Sequence, residues 1–426
     1  MKLLIKGGRV VDPANNLDGG CDILVVNGKV ARVAKDIQAA GAKVIAAAGK
    51  IVIPGLVDMH VHLREPGRED KETVATATTA ALKGGVSCVL AMPNTNPALD
   101  SSATISLLKR IIKTSAKTEV LICAAITKDR AGKELTPLAQ FRPKGVVAIS
   151  DDGSSVDSDN LLLEAFKQAK QNKMLVICHS EDKALAKSGV VNLGIVSTRM
   201  GLKGISAESE YRRVERDLRL AKQARAAVHI AHVSCAESVK IIARAKKSGQ
   251  PVTCETAPHY FALTDQAVTG FDTNMKVNPP LRSQRDVDAI KQGLKDGTID
   301  AIASDHAPHT ENEKDIEFDR AAFGSIGLET ILAVSITELI ETGLLNWRDL
   351  VEKIALNPAR ILKVDRGSLA VGQRADIVVV DPQKQWQVER EDFLSKSKNS
   401  AFLGRKLKGI VEYTIIKGSP AYDVHC

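Results

Sequence analysis

The residues of this chain that could do chemistry are histidines and aspartates that follow short apolar segments. His60 and His62 end the segment LVDMHVH. In a strand, residues i and i+2 face the same side, about 6–7 Å apart, so two imidazoles can meet on one metal ion. Asp152 lies just beyond the apolar segment VVAIS, and Asp305 directly follows AIAS, where a carboxylate is costly to bury without a partner. The pattern predicts a metal site.

Two more histidines, His179 after LVIC and His232 after HIA, extend this pattern. Either of them alone could be an ordinary core histidine. Four histidines and two aspartates together exceed the three protein ligands of a typical mononuclear catalytic zinc site. A binuclear site, with metals about 3.5–4 Å apart and a bridging carboxylate, accounts for the surplus. His229, three residues before His232, is expected to face the opposite side of its strand and to pack outside.

Eight apolar segments that alternate with helical patterns must position these side chains. The predicted strands are residues 56–62, 86–92, 120–125, 146–150, 174–178, 228–231, 252–256 and 299–304. Such alternation predicts a parallel sheet, and eight units favour an α/β fold of the (β/α)8 TIM-like barrel type, whose functional residues lie at the C-terminal ends of strands. A doubly wound open sheet usually has a glycine-rich turn after its first strand, where this chain has His-Val-His.

Both chain ends differ from this pattern, because they contain short β-branched segments separated by Gly and Pro. Asn27-Gly28 between apolar flanks predicts a hairpin. Neither end has enough strands for a stable sandwich by itself. We therefore expect residues 1–52 plus 361–426 to form one small β-sandwich domain, and residues 53–360 to form a metal-dependent barrel.

Composition limits the classes of partner. The 426 residues carry a net charge of +8, but only 3% are aromatic and the basic residues are scattered, which argues against nucleic acid. Seven widely spaced cysteines indicate reduced thiols. No apolar segment approaches transmembrane length, so no membrane partner is expected. These features together predict a cytoplasmic protein.

Eight motifs carry a resemblance to a known family. They are GLVDMHVHLREPG (55–67), AMPNTNP (91–97), SDDG (150–153), CHSE (178–181), AHVS (231–234), KVNPPLR (276–282), SDHAPHT (304–310) and AFGSIGLET (322–330). They resemble motifs of the amidohydrolase superfamily and, within it, of dihydroorotases of the bacterial class I type. The segment GSLAVGQRADIVVVD resembles the C-terminal part of that family's sandwich domain.

The resemblance implies zinc as cofactor, with two ions per chain. One zinc would take His60, His62 and Asp305, and the other His179 and His232, with Asp152 between them. It also implies that Asp305 is catalytic and moves a proton. The implied substrate contacts are Arg64, Asn94, Asn278, His309, Phe323 and Gly324.

The implied reaction is the reversible cyclisation of N-carbamoyl-L-aspartate to L-dihydroorotate in pyrimidine biosynthesis. Dihydropyrimidinases, hydantoinases and allantoinases are the enzymatic alternatives, and typically bridge their metals with a carboxylated lysine. The nearest lysine here, Lys144, precedes Asp152 by eight residues, about 26 Å of extended chain. An inactive scaffold for aspartate transcarbamoylase is a further alternative. Whether the chain forms a homodimer, or associates with aspartate transcarbamoylase, stays open at this point.

Overall fold

The N-terminal residues form five strands, as their β-branched segments predict. The computed structural model describes residues 2–426. Asn27 and Gly28 adopt positive φ, 50° and 79°, as a two-residue hairpin turn requires, and they join two antiparallel strands. The five strands are β1 (Lys2–Asp12), β2 (Leu17–Val26), β3 (Lys29–Ala34), β4 (Lys43–Ala46) and β5 (Ile51–Pro54).

Eight parallel strands then form the barrel, at the eight places that the sequence predicts. They are β6 (Leu56–Val61), β7 (Val86–Ala91), β8 (Glu119–Ala124), β9 (Val146–Ile149), β10 (Leu175–Cys178), β13 (Val228–Ile230), β14 (Val252–Thr256) and β15 (Ala301–Ile302). A two-stranded sheet of β11 (Val191–Asn192) and β12 (Gly204–Ile205) lies apart. The backbone N–H of Ser304, which follows β15, donates to Asp58 of β6 at 3.1 Å. This contact links the last barrel strand to the first. The predicted fold class is confirmed.

The C-terminal residues return to the sheet that the N-terminal strands began. Strands β16 (Ile377–Gln387), β17 (Lys406–Ile416) and β18 (Ser419–Asp423) follow the barrel. The eight-stranded sheet has the order β18-β17-β16-β5-β1-β2-β3, with β4 also paired to β1, and it covers an apolar core of its own. The two chain ends therefore share one domain, while the boundaries at residues 52 and 360 stay predictions.

Helices connect the barrel strands and cover them from outside. They are α1 (Val74–Lys83), α2 (Ser102–Ser115), α3 (Asp159–Gln171), α4 (Lys183–Ala186), α5 (Ile195–Met200), α6 (Glu208–Ala224), α7 (Ala236–Lys247), α8 (Pro258–Ala262), α9 (Gln284–Lys295), α10 (Glu311–Lys314), α11 (Ile331–Ser335), α12 (Trp347–Val351) and α13 (Asn357–Leu362). Ser158 caps α3 by accepting from the backbone N–H of Leu161. None of the helices in residues 2–426 is long and apolar enough to cross a membrane.

Alternating residues of the barrel strands pack in two different apolar clusters. On β7, Val89 and Ala91 join the large cluster that includes the helices. Cys88 and Leu90 join a smaller cluster of strand residues, because successive side chains of a strand point to opposite faces. The barrel interior is thus mainly apolar, and its polar side chains concentrate toward the C-terminal ends of the strands. All seven cysteines are unpaired.

Candidate active site

The six predicted metal ligands meet at one mouth of the barrel. His60 belongs to β6 and His62 directly follows it. The other four follow their strands by one to three residues: Asp152 after β9, His179 after β10, His232 after β13 and Asp305 after β15. All six residues are buried. The C-terminal ends of parallel strands lie together in such a barrel, and this brings side chains that are distant in the sequence to one place.

Asp152 lies at the centre of this group. Its Oδ1 is 3.2 Å from His60 Nε2 and 3.6 Å from His179 Nδ1. The same oxygen is 3.8 Å from His232 Nε2, while Oδ2 is 3.6 Å from His62 Nε2. A carboxylate that faces four imidazoles has the position expected of a ligand shared between two metals.

Asp305 occupies the side of the group nearest His62. Its Oδ1 is 3.3 Å from His62 Nε2 and 3.6 Å from His60 Nε2. Two overlapping triads have ligand atoms within 4.8 Å of one another: His60, Asp152 and His232, and His60, His62 and Asp305. The second triad contains the residues predicted for one zinc. The assignment of His179 and His232 to a second zinc stays a prediction.

Two buried atoms test whether a cation fits this group. His60 Nε2 and Asp152 Oδ1 are buried without a hydrogen-bond partner in the described part of the chain. Buried polar atoms are rarely left unpaired, and both of these atoms face the centre of the donor group. Imidazole nitrogen and carboxylate oxygen are also the ligands that zinc takes in catalytic sites. The donor set therefore fits a divalent cation such as zinc.

Both aspartates are ionised at neutral pH. Burial raises the pKa of each carboxyl, but interactions with neighbouring histidines, His60 foremost, outweigh it and hold both pKa values well below the usual range. The same carboxylates raise the pKa of His60 against the effect of burial. At His62 burial dominates and lowers the pKa. The site thus offers two anionic ligands before any metal is bound.

Three of the histidines predicted as metal ligands contact a polar side chain through their second ring nitrogen. The three contacts are His60 Nδ1 to Glu255 Oε1 at 2.7 Å, His62 Nδ1 to Asn94 Oδ1 at 2.7 Å and His179 Nε2 to Glu181 Oε2 at 3.4 Å. Such contacts fix the tautomer and orientation of a metal-binding imidazole. Asn94, predicted only as a substrate contact, is therefore also a partner of a metal-site histidine.

A cavity of about 250 Å³ adjoins the metal-site residues. All six residues predicted to contact substrate line it: Arg64, Asn94, Asn278, His309, Phe323 and Gly324. Asn278 donates through Nδ2 to Glu181 at 3.2 Å, which leaves its carbonyl oxygen for other partners. Drug-sized ligands occupy pockets of about 300–1,000 Å³, so this cavity suits a smaller molecule.

One wall of the cavity is positively charged. Arg64 donates through Nε to Pro308 O at 3.0 Å, and its Nη2 lies 3.3 Å from His309 Nε2. Burial lowers the pKa of Arg64 to about 10, so its guanidinium stays charged at neutral pH. Burial, together with the cations of Arg64 and Lys71, strongly lowers the pKa of His309. A charged guanidinium beside a neutral imidazole is suited to an organic carboxylate.

Three residues of this site have left-handed backbone conformations. Arg64 has φ 62°, His232 has φ 35° and Asp305 has φ 47°. Residues other than glycine adopt such conformations at a cost, and they concentrate at functional sites. At these three positions the chain leaves the strand direction, which turns the side chains into the mouth of the barrel.

Comparison with known proteins identifies the family. A family model described as Dihydro-orotase-like matches residues 49–238. The chain is 52% identical over 418 residues to a dihydroorotase of Elusimicrobium minutum, covering 98% of this chain and 97% of that protein. It is 50% identical over 424 residues to a dihydroorotase of Geobacter sp. strain M21, covering 99% and 100%. The chain belongs to the dihydroorotase family.

The barrel fold by itself does not separate this chain from enzymes related to the dihydroorotase family. The L-hydantoinase (dihydropyrimidinase) from Arthrobacter aurescens superimposes with a TM-score of 0.90 at 26% identity, covering 99% of this chain and 96% of that chain. One fold hosts several activities. The side chains of the site must therefore distinguish a dihydroorotase from a hydantoinase.

Lys144 is remote from the metal-site residues. It precedes β9, whereas Asp152 follows the same strand, so the two residues belong to opposite ends of the barrel. Lys144 Nζ donates to Ser106 Oγ at 3.2 Å. Lys144 therefore cannot supply a bridging group to this site, whereas the carboxylate of Asp152 lies among the four histidines.

His229 lies inside the barrel, and the prediction that it packs outside is wrong. Its Nε2 is 3.3 Å from Glu255 Oε2, and its neighbours Val228 and Ile230 face the helices instead. The prediction extended strand alternation from His229 to His232. Strand β13 ends at Ile230, and the left-handed backbone of His232 breaks the alternation. Both histidines consequently point inward.

Two supports of the substrate residues were missed by the sequence analysis. Asn399, which follows β16, accepts at Oδ1 from the backbone N–H of His309 at 3.0 Å. Its Nδ2 donates to Ala307 O at 3.2 Å and to Gly324 O at 3.1 Å. Lys314 Nζ also donates to Gly324 O, at 3.0 Å. No local sequence signal marks either residue, since each acts on the backbone of another segment.

Two carboxylates behind the histidines were also missed. Glu181 stands in the quoted motif CHSE, and Glu255 is a charged residue in the apolar strand β14. Burial opposes ionisation of both, but contacts with His179 hold the pKa of Glu181 at about 2. Contacts with His229 and His60 do the same for Glu255, whose pKa is also about 2. A buried charge in a strand was the available signal for Glu255.

Proposed function

We propose that this chain is a dihydroorotase that interconverts N-carbamoyl-L-aspartate and L-dihydroorotate. One observation carries the proposal: a single cavity of about 250 Å³ joins the histidine–aspartate group to the Arg64–His309 pair. Hydrolysis of a ring amide needs the first feature. A substrate with a carboxylate on its ring needs the second. Dihydroorotate combines both chemical groups in one small molecule.

We propose zinc as the metal, with two ions per chain. His60, His62 and Asp305 would hold one ion, and His179 and His232 the other, with Asp152 between them; the unpaired His60 Nε2 and Asp152 Oδ1 support this arrangement. When bound, such ions polarise a carbonyl and lower the pKa of water toward neutrality.

Asp305 is the proposed proton carrier. Its carboxylate is ionised and lines the cavity. In hydrolysis it can take the proton of the attacking water and deliver it to the departing ring nitrogen, as a general base and then a general acid do. In cyclisation the same residue takes a proton from the attacking nitrogen and gives it to the departing oxygen.

Residues on the far side of the cavity are proposed to orient the ring. Arg64 can pair with the ring carboxylate through its guanidinium. Asn94 accepts from His62 through Oδ1 and thus keeps its amide N–H groups for the same anion. Asn278 keeps its carbonyl oxygen for a ring N–H. Phe323 and Gly324 line the cavity where the ring would lie.

A different cyclic amide substrate is the alternative that the fold supports, because a hydantoinase shares it. Two features of this chain favour dihydroorotate: Asp152 replaces a bridging lysine, and Arg64 provides a charge that an uncharged ring does not require. An inactive scaffold for aspartate transcarbamoylase is less consistent with the chain, because all six ligand residues are present and converge.

The test is an assay of zinc-loaded protein with dihydroorotate, dihydrouracil, hydantoin and allantoin in parallel. We expect turnover of dihydroorotate to exceed that of the other three, and elemental analysis to find about two zinc ions per chain. Preferred hydrolysis of an uncharged ring would contradict the proposed substrate. Cytoplasmic location, a homodimer and association with aspartate transcarbamoylase remain predictions that this assay does not address.

A further inference from the structure

A chain of buried polar side chains runs from the metal site into the barrel. Glu255 Oε1 lies 2.7 Å from His60 Nδ1, and Glu255 Oε2 lies 3.3 Å from His229 Nε2. His229 Nδ1 lies 2.8 Å from Thr253 Oγ1. Glu255 and His229 are 1% and 0% exposed, so these contacts lie away from bulk solvent. The residues come from three barrel strands, β6, β13 and β14.

The contacts indicate which ring nitrogen of His60 and of His229 carries the proton. A histidine that binds a metal through Nε2 must carry its ring proton on Nδ1, so His60 donates to Glu255. A carboxylate accepts at both oxygens, and the second oxygen of Glu255 faces His229 Nε2. With a proton on that nitrogen, His229 makes a close polar contact with Glu255 at 3.3 Å, which lacks the alignment of a hydrogen bond, and accepts from the hydroxyl of Thr253 through Nδ1. The hydrogen bond between His60 and Glu255 is therefore the firm contact of this group, and His229 adds the close polar contact on the other oxygen of Glu255.

We propose that Glu255 and His229 are positioning residues of the metal centre, in which Glu255 fixes the tautomer and orientation of His60 and His229 fixes Glu255. The inference rests on the proposed function only in taking His60 as a metal ligand. Glu255 also adds a negative charge behind a site in which two divalent cations would face only two aspartates, Asp152 and Asp305. Both effects strengthen metal binding rather than substrate binding.

A purely structural role would have a different signature. In that case Glu255 would do no more than link strands β6, β13 and β14 through its two histidine contacts. Its loss would then reduce stability without changing metal affinity. The affinity for zinc in the folded protein separates these two roles. It requires no substrate, so it does not depend on turnover.

The experiment is a zinc titration of full-length Glu255→Gln in competition with a chromogenic chelator. Outer contacts to metal ligands typically contribute 10–100-fold to metal affinity, and we expect a loss in this range. The amide can still accept from His60, but it lacks the charge and presents N–H groups to His229. Glu72→Gln is the matched control, because Glu72 is a buried glutamate 3.4 Å from the ring of His306, which is not a predicted ligand. We expect wild-type zinc affinity for the control.

Variants of His229 keep the inference testable if Glu255→Gln does not fold. His229→Gln retains a side-chain donor toward Glu255, whereas His229→Leu removes it. We expect zinc affinity to fall more in the leucine variant than in the glutamine variant. Wild-type affinity in folded Glu255→Gln or in His229→Leu would overturn this inference alone. A wild-type chain that binds no zinc would overturn the proposed function and this inference together.

Discussion

The cavity has two walls that are built in different ways. The metal wall consists of His60, His62, Asp152, His179, His232 and Asp305, which lie in or within three residues of barrel strands. The substrate wall consists of Arg64, Asn94, Asn278, His309, Phe323 and Gly324, which lie in loops outside the strands. The first wall is fixed by strand register. The second depends on contacts between loops.

The supports of the two walls differ accordingly. Behind the metal wall stand short, buried contacts such as His60 to Glu255, which join side chains of neighbouring parts of the barrel. The substrate wall is supported by two side chains that donate to backbone carbonyl groups. Lys314 donates to Gly324, ten residues further along the chain, and Asn399 donates to the same group from 75 residues away. A rigid scaffold that carries variable loops allows related enzymes to keep their chemistry and change their substrate. The similarity in fold to a hydantoinase agrees with this division.

The largest effect is expected at Asp305, where the metal wall meets the reacting bond. Asp305→Asn removes the proposed proton carrier, and general acid–base groups typically contribute about 10²–10⁴-fold to rate. We expect turnover of dihydroorotate to fall by this factor while substrate binding is largely retained. Zinc content, measured on the same sample, shows whether the loss of a zinc ligand contributes to the fall in turnover. Near-normal turnover would exclude Asp305 from the mechanism.

The next largest effect is expected at Arg64 in the substrate wall. Arg64→Ala leaves the ring carboxylate unpaired, which costs about 2–5 kcal/mol where a charge pair is buried. We expect kcat/KM for dihydroorotate to fall accordingly, and zinc content to stay at the wild-type value. Arg68→Ala, an exposed arginine in the same loop, is the control and should have little effect.

Uncharged dihydrouracil separates recognition of the carboxylate from a structural role of Arg64. If Arg64 recognises the anion, Arg64→Ala loses much more activity on dihydroorotate than on dihydrouracil. An equal loss on both substrates, together with reduced zinc content, would indicate that Arg64 only ties the first barrel loop to Pro308.

The metal wall was predictable from the sequence because its signals are local. An apolar segment followed by His or Asp indicates both a strand and the end of that strand, and parallel strands bring such ends together. The error at His229 came from the same rule, applied to His232, two residues beyond the point at which β13 ends. The left-handed backbone of His232 that causes the error has no signature in HIAHVS.

The partners of Glu255 and Asn399 were not predictable, because each of these supports contacts a residue that is distant in the sequence. Glu255 is separated from His60 by 195 residues, and Asn399 from His309 by 90. A pattern of apolar and polar residues indicates which face of an element is buried. It does not indicate which side chain of another element will be found there. The resemblance to dihydroorotases identified residues of the substrate wall, but none of their supports.

A smaller effect, confined to the substrate wall, is expected at Asn399. Asn399→Ala leaves the backbone N–H of His309 and the carbonyl of Gly324 without this partner, and a buried polar group left unpaired costs about 1–3 kcal/mol. We expect a rise in KM for dihydroorotate and unchanged zinc affinity. Asn346→Ala, which removes a helix cap of α12, should reduce stability by about 1 kcal/mol without changing KM. Reduced zinc affinity in Asn399→Ala would show that the two walls are not independent.

The last effect concerns the stability of the substrate wall and its dependence on pH, and leaves activity aside. Burial lowers the pKa of Lys314 from its ordinary 10.5 to about 7 in the folded protein. Between these two values the unfolded chain binds more protons than the folded chain, so the stability contribution of this group rises with pH. Below pH 7 the folded protein bears the full cost of the buried charge, and above about pH 10.5 it bears none.

Lys314→Met tests this dependence, because methionine fills a similar space without a titrating group. The variant loses the contacts to Ala322 O and Gly324 O at every pH. Their loss adds a constant difference in the free energy of unfolding. The difference between wild type and variant should therefore grow in favour of the wild type as pH rises from 7 to 9.5, measured by urea unfolding at several pH values. Lys35→Met, at an exposed position of the β domain, should show no such trend. A difference that is constant with pH would mean that Lys314 stays charged in its buried position, held by the two carbonyl groups of the loop that it supports.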